Sequence, residues 1–306
     1  MSMAGVVIDG RYRADTGCAA LADRRGDSLV ATAPPAERWL LIESRVAWPR
    51  DALAALRPEG LGAEVARLCR QLGYRPALIR RYGRLDRTAP RRFALADCRP
   101  GRESVRWGDL PSDEHLLPVL RGDAEPGLVS REPVYLVCTH GRHDACCAVR
   151  GRPVAAALAG AYPERTWECS HVGGDRFAAN VVVLPQGLFY GHVPVARAVE
   201  LAKHHDEGRV VPDLLRGSGA FVAPVQAAQH FARAAGHSRL VDELRPRAVR
   251  GLAGHHWQVD LALPDDAGLV TVEVSAHLDT IDARLTCAGT APATVRRFQL
   301  HSITSS

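Results

Sequence analysis

Residues 179–193, ANVVVLPQGLFYGHV, constrain the fold more than any other stretch of the chain. Two runs rich in Val, Phe and Tyr flank Pro185-Gln186-Gly187, a connection that suits an antiparallel hairpin. Pro194 then opens an amphipathic helix that Gly208 can close. Upstream, Val134 to Val137 reads as a strand and a helix starts near Pro153, whose missing amide suits a first turn, and runs to Gly160. Thr166 to His171 alternates like a strand until Gly173-Gly174 breaks it. The order is β-α-β-β-β-α, which is thioredoxin-like.

A fainter copy precedes it. Arg38 to Glu43 reads as a buried strand, and Leu61 to Leu72 carries Val65, Leu68, Cys69 and Leu72 at helical spacing. Strands follow at Pro76 to Arg80, Arg92 to Cys98 and Ser104 to Trp107. Leu110 to Pro133 reads as a linker. The expectation is an α/β protein with mixed sheet, made of an N-terminal α/β domain (1–128) and a thioredoxin-like domain (129–306). Arg216-Gly217-Ser218-Gly219 reads as a turn, and Pro224 to Ala235 as a helix. Strands at His256 to Leu263, Leu269 to Ala276 and Val295 to His301 form a C-terminal extension (about 237–306). That extension is too short for a third domain and is expected to pack on one of the two sheets.

Composition narrows the function. No stretch approaches the ~18 consecutive apolar residues of a membrane span, and the N-terminus, MSMAGVVIDGRYRADTG, lacks the apolar core of a secretion signal. The reading is a cytoplasmic protein. A net charge of +5 is spread along the chain, so nucleic-acid binding is not favoured. Eight cysteines in 306 residues are too sparse for a disulfide scaffold, and in a reducing cytosol they are thiols held by metal or burial. Nothing picks out a glycosidase carboxylate pair or a serine nucleophile elbow. His204-His205 falls at a helix end, where positive charge is favoured.

Cys138 and Cys147 bracket eight residues, and His171-Val-Gly-Gly-Asp175 follows. All four positions are expected at strand ends or in loops, where side chains converge without distorting a sheet. The two glycines let the backbone curl around something bulky.

These residues resemble the sucrase/ferredoxin-like family of thioredoxin-like [2Fe–2S] ferredoxins, whose motif is Cys-x8-Cys followed by His-x-Gly-Gly-His. VVVLPQGLFYGHV, APPAERWLLIE and RGSGAFVAPVQAAQHFAR are similar to segments of that family too. The resemblance implies a one-electron carrier rather than a catalyst, with Cys138 and Cys147 on one iron and His171 on the other. The second histidine is Asp175 here. A carboxylate favours ferric iron and is expected to lower the potential relative to two histidines. Cys146, Cys169 and His143 are substitutes for the fourth ligand, and Asp175 is otherwise a cap or a partner of Arg176. Imidazole ligation places the potential above the roughly −400 mV of plant-type ferredoxins and couples reduction to protonation.

Two other readings stand beside this one. A structural zinc site (Zn2+) built from Cys138, Cys146 or Cys147, Cys169 and His171 satisfies tetrahedral ligation, and would make the chain an interaction protein. Thiol–disulfide exchange is the third, although no Cys-x-x-Cys occurs. Cys18, Cys69, Cys98 and Cys287 read as core or surface thiols. For an electron carrier the expected partner is an acidic reductase docking on Arg142, Arg150 and Arg152.

Overall fold

A computed structural model describes residues 12–83, 88–263 and 268–305. Most of the N-terminal stretch read for a secretion signal lies outside them. The protein is α/β, with six α-helices and two sheets among the described residues. No described helix is long and apolar enough to cross a membrane.

The chain begins with α1 (Cys18–Arg25), then β1 (Arg38–Glu43), α2 (Leu61–Leu72), β2 (Tyr74–Arg80), β3 (Arg92–Asp97), β4 (Ser104–Asp109), α3 (Leu116–Arg121) and β5 (Leu128–Ser130). The second half runs β6 (Val134–Cys138), α4 (Ala145–Ala161), β7 (Thr166–Cys169), β8 (Val181–Leu184), β9 (Leu188–Tyr190) and α5 (Ala198–Asp206). After it come β10 (Leu215–Ser218), α6 (Ala223–Ala234), β11 (Pro246–Gly251), β12 (His256–Ala262), β13 (Leu269–Ile281) and β14 (Ala293–Ser305).

Ten strands form one sheet in the order β10-β9-β8-β6-β7-β2-β1-β3-β4-β5. Its two halves repeat one pattern. β1 is parallel to β2 and antiparallel to β3, which pairs antiparallel with β4; β6 bears the same relations to β7, β8 and β9. The copies meet edge to edge, antiparallel, where Ile79 pairs with Cys169. The thioredoxin-like order therefore occurs twice.

Alternation along the strands sorts the core by face. Leu40, Ile42, Leu78 and Phe93 pack with α2 and α3, while Tyr135, Val137, Val181 and Val183 pack with α4 and α5. On the other face Trp39, Leu41, Ile79, Leu136, Cys138, Trp167, Cys169 and Val182 form one apolar layer across both halves, joined by Cys18 and Ala19 of α1. The candidate site lies at the edge of this shared layer.

Four local expectations change. The linker contains α3 and β5, because Leu116, Val119 and Leu120 form a buried stripe at helical spacing that the prolines obscure. Helix α4 starts eight residues before Pro153, since the Asp144 side chain accepts the Cys146 amide at 2.9 Å and caps the first turn. Cys147 is thus helical rather than in a loop. Arg216 to Ser218 is strand, with a register shift between Leu215 and Gly217, rather than a turn. The C-terminal strands β11–β14 pair among themselves as a separate antiparallel sheet, and Val259, Leu261, Val270 and Val272 pack against Val225, Ala228 and Ala232 of α6.

Candidate metal centre

Strand β6 ends at Cys138, the cap at Asp144 sets α4 against that end, and Cys147 falls in the helix's first turn. A Cβ at Gly151 would run into the Cys138 carbonyl, so the helix approaches the strand this closely only with glycine there. His171 follows β7, and Asp175 opens a short 3-10 turn. One donor atom from each of Cys138, Cys147 and His171 lies within 4.8 Å of the others. The Cys147 thiol donates to Asp175 Oδ1 at 3.1 Å, and His171 Nδ1 lies 2.9 Å from the same oxygen. Three of the positions singled out by spacing therefore converge, and Asp175 joins them through Cys147 and His171.

The substitutes divide. His143 stacks on His171 with centroids 3.7 Å apart and places Nε2 3.6 Å from Asp175 Oδ2. His143, His171 and Asp175 form a second trio of mutually close donors. Cys169 is fully buried in the apolar layer, paired with Cys138 across β6–β7, and belongs to no group of converging donors among the described residues. Cys146 turns away to Cys18 and Cys287, with its sulfur 3.4 Å from that of Cys287. Asp175 points at the donors; Arg176 pairs instead with Asp27 at 3.3 Å.

Electrostatics favour anionic sulfur here. Cys138 and Cys147 share one thiolate: hydrogen bonding from Cys147, with help from His171, holds Cys138 well below the usual thiol range, and the same contact pushes Cys147 up. Burial opposes a charged His171, yet Asp175 and the Cys138 sulfur outweigh it and raise the imidazole to about 9. Burial would also raise Asp175, but the His171 contact keeps it below the ordinary carboxylate value. His171 Nδ1 is buried and, despite its nearness to Asp175, has no aligned hydrogen-bond partner among the described residues. Two thiols, an imidazole and a carboxylate together make a donor set that suits iron or zinc.

Three supporting residues gave no sequence signal. His140 accepts the His171 amide on Nδ1 at 3.3 Å and makes a 2.7 Å contact from Nε2 to the Pro49 carbonyl, so Nε2 carries the proton. Arg75, from β2, lies near the Cys138 and Cys169 sulfurs. Arg216 is 2% exposed and donates to the Gly173 carbonyl at 2.9 Å, Asn180 Oδ1 at 2.7 Å and the Thr32 carbonyl at 2.6 Å. A Cβ at Gly174, whose φ is +81°, would lie 2.5 Å from Arg216 Nη2. The second glycine therefore makes room for the arginine.

A family model described as sucrase/ferredoxin-like matches residues 29–217, more than half of the chain. The chain belongs to the sucrase/ferredoxin-like family. No curated protein and no solved structure matches it. The family match spans Cys138, Cys147, His171, Asp175 and Arg216, and stops short of Cys18 and Cys287.

Proposed function

We propose that the protein is a one-electron carrier whose [2Fe–2S] cluster is held by Cys138 and Cys147 on one side and by His171 with Asp175 on the other. The observation that carries this reading is the convergence of two buried thiols with an imidazole that is itself 2.9 Å from a buried carboxylate. A bound cluster supplies reversible one-electron valence change. The protein's residues do the rest. The α4 N-terminus and the His140 amide, which hydrogen-bonds the Cys138 sulfur, favour thiolates. Arg75 and Arg216 place positive charge nearby. The cysteines are sealed in the core, whereas the His143 and His171 side chains keep 29% and 26% of their surface, so the histidine edge is the side from which an electron leaves. Arg142, next to His143 in the chain, and Arg152 are exposed, and an acidic reductase is the proposed partner. Reversing both charges to Glu should slow electron transfer at low salt; unchanged salt dependence would refute that docking site.

A single zinc ion is the second reading, favoured by the closeness of Cys138, Cys147 and His171. Anaerobic purification with iron, zinc and acid-labile sulfide analysis separates the two. The carrier is expected red-brown, with iron and sulfide in equal amounts and a paramagnetic signal on reduction. Colourless, sulfide-free protein would sink it. Asp175→His should keep the cluster and raise its potential, while Asp175→Ala with unchanged iron and potential would remove Asp175 from the ligand set.

A further inference from the structure

Cys18 comes from the first turn of α1, Cys146 from the first turn of α4 and Cys287 from the connection between β13 and β14. The Cys287 sulfur lies 3.4 Å from that of Cys146 and 3.6 Å from that of Cys18, and Cys18 Sγ is 3.7 Å from each oxygen of Asp144. One donor atom from each of the four residues lies within 4.8 Å of all the others. A tetrahedral ion with metal–sulfur bonds of about 2.3 Å separates neighbouring sulfurs by about 3.8 Å, and sulfur from a carboxylate oxygen by about 3.6 Å. The observed separations sit close to those edges. A bridged iron–sulfur cluster spreads its thiolates farther, because different irons hold them, and a disulfide would use only two of the three sulfurs.

We propose a second metal site, separate from the family centre, in which the thiolates of Cys18, Cys146 and Cys287 and the carboxylate of Asp144 hold one zinc ion in a closed, structural role. Cys18, Asp144 and Cys146 are buried, as a site without an open position requires. The anionic donors are supported from behind. Asp144 accepts the Cys146 amide at 2.9 Å and the Cys287 amide at 2.6 Å, while the Cys146 sulfur lies 3.5 Å from the Ala19 amide and 3.3 Å from the Tyr12 hydroxyl. Arg284 donates to the Cys287 carbonyl at 3.3 Å and the Thr16 carbonyl at 3.1 Å, tying together the two chain segments that meet at the site. Such contacts orient ligands around a metal.

The adjacent cysteines acquire distinct jobs. Successive helix residues project about 100° apart, so Cys147 faces Cys138 while Cys146 faces α1. Cys18 and Cys287 are 269 residues apart and both lie outside the family match. A zinc ion here staples the chain's two flanks to the helix turn that carries Cys147, a closure whose entropy the metal bonds offset.

The test is metal analysis of full-length protein made with iron and zinc supplied and purified anaerobically. About one zinc per chain is expected in the wild type, lost in Cys18→Ser and Cys287→Ser with iron retained. Cys287→His, which keeps a ligand, should retain zinc, and Cys138→Ser should lose iron but not zinc. Should the serine variants misfold, cobalt(II) exchanged into the wild type must still give tetrahedral thiolate charge-transfer bands. Wild-type protein with neither zinc nor cobalt uptake, a disulfide among the three cysteines, or zinc that follows Cys138→Ser instead would overturn the site. Iron-free protein whose zinc depends on Cys18 and Cys287 would sink the electron-carrier reading and leave this one standing.

Discussion

The two halves of the ten-stranded sheet share a topology and differ in what stands at the end of their first strand. Register places Glu43 of β1 opposite Ile79, as it places Cys138 of β6 opposite Cys169. In the first half the carboxylate of Glu43 accepts the Arg92 amide at 2.9 Å and lies 3.7 Å from Arg45; in the second, thiols and an imidazole converge. The connection after the strand accounts for the difference. Residues 139–144 bring α4 straight back onto the strand end, whereas residues 44–60 form a longer excursion before α2. That excursion reaches the other copy, where Trp48 sets its ring edge-on to His140, with centroids 5.8 Å apart, and Pro49 meets the His140 ring. One copy holds the donors, and the other walls them in.

The largest expected contrast lies at these matched positions. Cys147→Ser should abolish iron and visible colour, while Glu43→Gln, which keeps an acceptor for Arg92, should leave both unchanged. Iron and sulfide analysis of the two variants decides it, and loss of iron in Glu43→Gln would break the division of labour. Next in size is Arg216→Met. It leaves the Gly173 and Thr32 carbonyls and Asn180 Oδ1 without their buried donor, at a cost of about 3 kcal/mol. Urea unfolding should show the loss. A change under about 1 kcal/mol would mean that the turn needs only the glycines.

Much of this arrangement was legible in the chain. Strand β1 and helix α2 fall where apolar spacing put them, and β-α-β-β-β was readable in the first half and β-α-β-β-β-α in the second because those elements carry their own period, whereas the first copy's closing helix α3 was masked by the prolines around it. Cys138, Cys147, His171 and Asp175 stood out through their spacing, the glycine pair and the family motif they resemble, and the β6–β7 pairing brings the two segments together. Four things were hidden for physical reasons. The β2–β7 seam joins two edges whose own patterns do not name a partner. Asp144 is a short polar residue just ahead of a helix, but Pro153 offered a more conspicuous start. The Cys18, Cys146 and Cys287 cluster is assembled by tertiary packing alone, and Arg216 is one of many arginines until its burial is seen.

The smallest predicted difference concerns the helix-covered faces. Behind the second half, His205 of α5 is 8% exposed, with its ring edge against Tyr135, centroids 6.3 Å apart. The corresponding layer under α2 and α3 buries Cys69, Trp48, Phe93 and aliphatic residues, with no histidine among its buried members. A helix-end histidine ordinarily gains from carrying charge, but burial here lowers the His205 pKa, and the nearby Asp206 and Asp242 only partly offset that. The sign follows from the unfolded chain, where histidine titrates near 6.5. As pH falls through that value the unfolded state takes up a proton that the folded state refuses, so stability is lost on the acid side and is unaffected above it. His205→Phe keeps an aromatic ring against Tyr135 and cannot titrate. Between pH 7 and 5 the wild type should therefore lose on the order of 1 kcal/mol more than this variant, measured by urea unfolding at each pH. Equal losses would show that the second half's helical face is as indifferent to acid as the first, and that the copies differ only at the edge where the thiols and imidazole converge.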